Sequence, residues 1–206
     1  MNINTEKVKR RYNRAAIVYD ILESPMEIMA LKKWRIDVMR ELKGKVLEVG
    51  VGTGKNIPYY PENIDITAID FSDRMLKRAR LKAEDLSKKV KFYNMDAEHM
   101  DFLDNTFDTV FTTCVFCSVP DPVKGLEEIK RVCKIDGKII MIEHVRSEKK
   151  VLGLLMDLFN PLVVTSYGAN INRRTVSNIE KAGFSSINIT NLYSDIVKKI
   201  TITNIK

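Results

Sequence analysis

The sequence predicts an α/β fold: a mostly parallel seven-stranded sheet with an antiparallel pair at one edge and helices on both faces. Three observations predict it. Five short apolar runs alternate with helical patterns between residues 45 and 145, and a glycine-rich turn directly follows the first run. Two further runs stand together near the end of the 206-residue chain, separated only by Tyr193 and Ser194, as an antiparallel pair would be.

The first run, 45–50 (KVLEVG), has the length of a buried strand and leads into a turn and a short helical stretch punctuated by Pro58 and Pro61. The second, 64–70 (IDITAID), passes through Ser72 and Asp73 into a helix whose Met75, Leu76, Ala79 and Ala83 form one apolar stripe. Strands follow at 89–94 (KVKFYN) and 107–113 (FDTVFTT). Pro120 and Pro122 then open a helix that runs to Cys133, with Asp121 placed to cap it. The fifth strand is 138–145 (KIIMIEHV), and the closing pair is 185–192 and 195–204. Between them, 151–164 (VLGLLMDLFNPLVV) is apolar but interrupted by Asp157 and Pro161, and 173–182 has a helical pattern. The expected organisation is an N-terminal helical arm or lid over 1–40 and one α/β domain over 41–206, carrying an apolar insertion at 146–171.

A chain of this size supports one well-buried core and one site. No stretch reaches the roughly 18 uninterrupted apolar residues of a membrane span, and the charged N-terminus is unlike a signal peptide, so a cytoplasmic protein is expected. Three cysteines make an odd number, a poor disulfide framework. Cys114 and Cys117 form a CxxC without a second pair, too few ligands for a zinc site, so no metal is expected. The net charge of +7 suits an anionic neighbour. Lys7, Lys9, Arg10, Arg11 and Arg14 lie beside the stripe Val8, Tyr12, Ala15 and Tyr19. Such a segment suits either packing on the main domain or peripheral contact with an anionic membrane. Nucleic acid is disfavoured, because basic and aromatic residues are not interleaved on one face.

The chemistry concentrates in EVGVGTG at 48–54. Open α/β sheets bind ligands beyond the carboxyl ends of their strands, and glycine there lets a ligand approach the backbone. Gly50, Gly52 and Gly54 follow a GxGxG spacing. A dinucleotide fingerprint would require glycine at position 55, which is Lys55, so a nicotinamide cofactor is disfavoured. Asp70, at the end of the second strand, suits a ribose diol, since a carboxylate accepts hydrogen bonds from both hydroxyls.

The ordered set EVGVGTG, AIDFSDRML, NMDAEHM and FDTVFTTCVFCSV, across about residues 44–145, resembles the cofactor motifs of class I S-adenosylmethionine-dependent methyltransferases. The resemblance implies a Rossmann-like fold with S-adenosylmethionine as cofactor and S-adenosylhomocysteine as product. It places Glu48 and the Gly50, Gly52 and Gly54 loop at the methionine portion, Asp70 at the ribose, and Phe71, Met75, Asp96 and Ala97 around the adenine. Asp96 would contact the exocyclic amine, and Cys114 would lie beside the methionine end. The turn before the fifth strand departs from the family, with Ile135, Asp136 and Gly137 where proline and paired glycines are usual.

Tyr19 and Asp20, CVFCSVPDP at 114–122 and EHVRS at 143–147 resemble the lipid and small-molecule branch: phosphatidylethanolamine N-methyltransferases, ubiquinone/menaquinone methyltransferases and thiol methyltransferases. That likeness implies a lid with Tyr19 near the methyl group and a lipid-like or apolar acceptor, a phospholipid amine above a quinone or thiol. The catalytic candidates are therefore Tyr19, Glu143 and His144, the last two at a strand end where side chains reach a crevice. Tyr12, Asn170, Arg173 and Arg174 are candidates on the substrate side, the arginines as partners for an anionic group. Three readings compete: a nucleic-acid methyltransferase, a non-catalytic S-adenosylmethionine-binding module, and a nucleotide-dependent oxidoreductase.

Overall fold

A computed structural model describes residues 25–205. Tyr12, Tyr19 and the basic N-terminal segment lie outside the described residues. Seven strands form one sheet: β1 (Lys45–Val49), β2 (Asp65–Asp70), β3 (Val90–Asn94), β4 (Phe107–Thr113), β5 (Cys133–His144), β6 (Ile187–Tyr193) and β7 (Val197–Thr203). Their spatial order is β3-β2-β1-β4-β5-β7-β6, with β1 to β5 parallel and β7 antiparallel to both β5 and β6. The chain builds outward from β1 to β3, then returns to lay β4 on the other side of β1. A crevice opens where two neighbouring strands lead their chains in opposite directions, here beyond the carboxyl ends of β1 and β4.

Strand alternation divides the core. Leu47, Val49, Val110, Ile139 and Met141 face one side with Leu126 and Ile129 of α3 (Pro122–Val132) and Ile179 of α5 (Thr175–Lys181). Val46, Ala68, Phe111, Ile140 and Ile142 face the other, with Val38 and Met39 of α1 (Pro25–Met39) and Leu76, Ala79 and Ala83 of α2 (Asp73–Asp85). The cap expected at Asp121 forms, with Oδ1 accepting from the Lys124 amide at 3.1 Å, and the Ser72 hydroxyl caps α2 by accepting from the Met75 amide at 3.3 Å.

Two elements differ from expectation. β5 starts at Cys133, not at 138, because the divergent turn is absorbed into the sheet with Asp136 in the left-handed region at φ 59°. Asn204, just past β7, fastens it by donating from Nδ2 to the carbonyls of Lys130, Cys133 and Lys134 at 2.9–3.1 Å. The second is the interrupted apolar run, which forms one continuous helix, α4 (Lys150–Tyr167), passing through Pro161. Asp157 does not break it. Arg146 donates to Asp157 from Nε and Nη2, holding the helix middle against the body. Among the described residues, no helix is long and apolar enough to cross a membrane.

Candidate active site

The crevice holds a cavity whose wall is built from the ends of β1, β2 and β4, the chain after β3 and one turn of α1. The turn after β1 folds back on β2, with the amides of Gly50 and Val51 both donating to the Ile69 carbonyl at 2.9 and 3.0 Å. Gly50, Gly52 and Gly54 all have positive φ. They differ in purpose. A Cβ on Gly50 would lie 2.6 Å from Val115 Cγ2, so glycine there lets the turns after β1 and β4 meet. A Cβ on Gly52 would meet nothing within 4 Å, so this position opens onto the cavity. Gly54 is not on the cavity wall, and a side chain there would drive into Ile57 and the Ala79 backbone of α2. Its contacts are those of packing between the turn and α2.

Glu48 is fully enclosed at one end of the cavity. Asn56 Nδ2 donates to its Oε1 at 2.6 Å, and the Tyr60 hydroxyl donates to Oε2. Asn56 also donates to Thr113 Oγ1 at 2.6 Å and accepts from Arg35 Nη1 at 2.6 Å. A cation, an amide and an acid therefore meet on one wall. The sequence pointed only to the acid, since Arg35 lies on a helix 13 residues upstream, where no local pattern links it to Glu48. Burial pushes the Glu48 carboxyl up to about 8. A carboxyl raised on folding holds its proton in the native state while the unfolded chain has lost it above about 4.5. Its stabilising contribution is complete at acid pH and is lost as pH rises through about 8. Wild type is thus expected to lose stability relative to Glu48→Gln between pH 5 and 8, read by denaturant unfolding across that range; parallel curves would contradict it.

Asp70 stands at the centre. Its Oδ2 accepts from the Gly52 amide and its Oδ1 from the Ser72 amide, both at 2.9 Å, so it fixes the glycine turn and the start of α2 together. A carboxylate has acceptor capacity beyond two donors, which suits a vicinal diol. Beyond it, Ile69, Phe71, Met75, Met95 and Ala97 make an apolar slot with Asp96 at its rim. Asp96 Oδ1 accepts from the Glu98 amide at 3.0 Å, which fixes its rotamer.

The turn after β4 closes the other side. Cys114, in the left-handed region at φ 57°, lines the cavity with Val115, Ser118 and Val119. Glu143 holds this turn from behind: its carboxylate accepts from the Thr112 hydroxyl and the amides of Val115 and Phe116 at 2.8–3.2 Å. It is fully buried and absent from the cavity wall, and its contacts are those of a support for this turn. Glu143→Gln would turn an amide donor toward a backbone donor. The expected cost is about 2 kcal/mol, lowering the melting temperature by roughly 5 °C in calorimetry.

Asn170 and Arg173 also support this turn. The Asn170 amide and side chain both donate to the Cys117 carbonyl, and Arg173 Nη2 donates to the carbonyls of Cys117 and Val119. Both residues thus hold the backbone of this turn, and Arg174 is an exposed residue at the start of α5, away from the cavity wall. Cys117 is buried and its thiol is pushed up to about 11 by desolvation, so it is not a nucleophile at neutral pH. His144 is half-buried at the end of β5, on the sheet face that carries Phe111 and Thr113, and burial lowers its basicity.

Of the expected cofactor residues, Glu48, Gly50, Gly52, Asp70, Phe71, Met75, Asp96, Ala97 and Cys114 line this one cavity. Residues 47–141 match the family model described as a methyltransferase domain. The chain is 39% identical over 151 residues to a phosphatidylethanolamine N-methyltransferase of Cereibacter sphaeroides, covering 70% of this chain and 71% of that protein. It is 29% identical over 178 residues to a ubiquinone/menaquinone biosynthesis C-methyltransferase of Rickettsia typhi, covering 81% and 72%. In fold it is similar to a crystal structure of a SAM dependent methyltransferase from Aquifex aeolicus, with TM-score 0.70, 21% identity and coverage of 92% and 98%.

Proposed function

This chain belongs to the class I S-adenosylmethionine-dependent methyltransferases and takes S-adenosylmethionine as its cofactor, and from that membership we propose that its acceptor is a phospholipid amine. The cavity residues fit the cofactor. Open space over Gly52 admits a ligand against the backbone. The Arg35, Asn56 and Glu48 wall suits an amino-acid end, with the guanidinium toward a carboxylate and Glu48 toward an ammonium. Asp70 suits the ribose and the slot from Phe71 to Ala97 a purine.

The bound cofactor supplies a methyl group already activated on a sulfonium. The protein's task is to align the acceptor with that group and exclude water, and no covalent nucleophile is required. Glu143 contributes by holding Val115 and Phe116, which sets the cavity edge at Cys114. An amine acceptor attacks only after losing its proton. His144, made less basic than an exposed imidazole by burial, stands off the cavity wall at the end of β5, so it would act on an amine only through another group.

The observation that carries the lipid-amine reading is the 39% identity to a phosphatidylethanolamine N-methyltransferase over 70% of this chain. Likeness to a quinone C-methyltransferase at lower identity supports the second reading. The test supplies methyl-labelled S-adenosylmethionine with phosphatidylethanolamine, a demethylmenaquinone or an alkyl thiol, each in mixed micelles. Label appearing on the headgroup amine is expected. Transfer only to the quinone or thiol would overturn the lipid-amine reading, and cofactor binding without transfer to any acceptor would favour a non-catalytic module.

A further inference from the structure

Helix α4 is amphipathic in the inverted sense. Val151, Leu154, Leu155, Leu158, Phe159 and Leu162 recur at spacings of three and four, and every one is between 46% and 73% exposed. The side turned to the protein carries the polar groups. Asp157 is held by Arg146 and by Asn172 Nδ2 at 3.0 Å, and Asn160 Oδ1 accepts from the Ile171 amide at 2.9 Å. Gly153 and Met156 complete that buried side, with a Cβ at Gly153 lying 2.6 Å from Arg146 Nη1. The helix is thus attached to the domain by polar contacts and presents its apolar side chains outward. A helix facing only water gains nothing from that arrangement, since each exposed leucine forgoes the stabilisation of burial.

The charges around the stripe indicate what it meets. Exposed Lys149 and Lys150 stand at its start, and no acidic residue occupies the first turn. The helix dipole disfavours cations there, so the lysines are not explained by helix stability. The outward stripe itself carries no charge. An uncharged apolar ridge with lysines at one end matches an anionic phospholipid leaflet, where the ridge enters the acyl boundary and the ammonium groups meet phosphates.

We propose that the outward face of α4 docks this protein on anionic phospholipid membranes, with Val151, Leu154, Leu155, Leu158, Phe159 and Leu162 entering the leaflet and Lys149 and Lys150 contacting headgroups. This docking is independent of which acceptor is methylated. The test floats the full-length protein with phosphatidylcholine vesicles, with or without phosphatidylglycerol, which carries no amine to methylate. Flotation with the anionic vesicles is expected, weakened at least tenfold by Leu158→Glu/Phe159→Glu and about tenfold by Lys149→Gln/Lys150→Gln. S-adenosylhomocysteine affinity should be unchanged in each variant, which reports that the fold is intact. A second readout is Phe159→Trp, whose emission should shift to the blue on adding anionic vesicles. Three results would overturn the proposal: no flotation of wild type, equal flotation of the Leu158→Glu/Phe159→Glu variant, or a wild-type dimer that this variant splits, which would mean that a second copy covers the face. If the double variant fails to fold, an unshifted Phe159→Trp spectrum overturns the proposal on its own.

Discussion

Asp70→Ala is expected to weaken S-adenosylhomocysteine binding about a hundredfold, roughly 2.7 kcal/mol, in calorimetric titration. Two losses combine. The ribose hydroxyls lose a charged acceptor, and hydrogen bonds to charged groups contribute about 1.5–3 kcal/mol each. The Gly52 amide also loses its partner, so the turn that faces the cofactor is no longer held in place. The Ser72 amide loses its Asp70 acceptor at the same time, at the buried start of α2. A fall in melting temperature should therefore accompany the binding defect. Asp70→Asn separates the two effects, because it keeps the size of the side chain and one acceptor oxygen while removing the charge. A change in affinity below threefold for Asp70→Ala would contradict the ribose assignment.

The second large effect is a contrast between two glycines of one turn. Gly52→Val places a branched side chain in the space over the loop, where nothing in the protein stands within 4 Å. Cofactor affinity should fall more than a hundredfold, while the left-handed backbone at φ 55° adds about 1–2 kcal/mol of strain. Gly54→Ala should do the reverse. Its side chain would press on Ile57 and the α2 backbone at Ala79, so the loss is expected in thermal stability, with cofactor affinity largely kept in the molecules that remain folded. Equal binding defects in both variants would mean that the turn acts as a single unit and that the cavity does not begin at Gly52.

The sheet was legible because its strands are short apolar runs between turn signals, and strand ends fix where a crevice opens. Asp70 and the glycine turn were legible for the same reason: their place at the ends of β2 and β1 follows from position in the chain. Arg35, Asn56 and Tyr60 were not. Asn56 and Tyr60, flanking and ending the 3-10 stretch Ile57–Tyr59, bond Glu48, and Arg35 of α1 bonds Asn56; such contacts leave no periodic trace. The place of Glu143 behind the turn left a signal in the sequence. Counting alternately from Ile139 and Met141 puts it on the face packed by α3 and α5, behind the turn after β4, whereas Glu48 lies on the other face. The interruption expected at Asp157 and Pro161 does not occur: Arg146 holds Asp157, one turn before the proline, a tertiary contact the local pattern does not show, and the helix continues to Tyr167. Asn204 likewise stands far from the turn it fastens, so the departure at Ile135, Asp136 and Gly137 gave no hint of what replaced the usual glycines.

One cavity is expected to hold S-adenosylmethionine with its amino-acid end against Arg35, Asn56 and Glu48 and its base beyond Asp70. A crystal structure of the complex with S-adenosylhomocysteine tests it most directly. The expected complex has the ribose diol on Asp70, adenine between Phe71 and Ala97 with its amine at Asp96, and the carboxylate within hydrogen-bond reach of Arg35. A nucleoside bound outside this cavity, or reversed so that the base lies against Glu48, would contradict it.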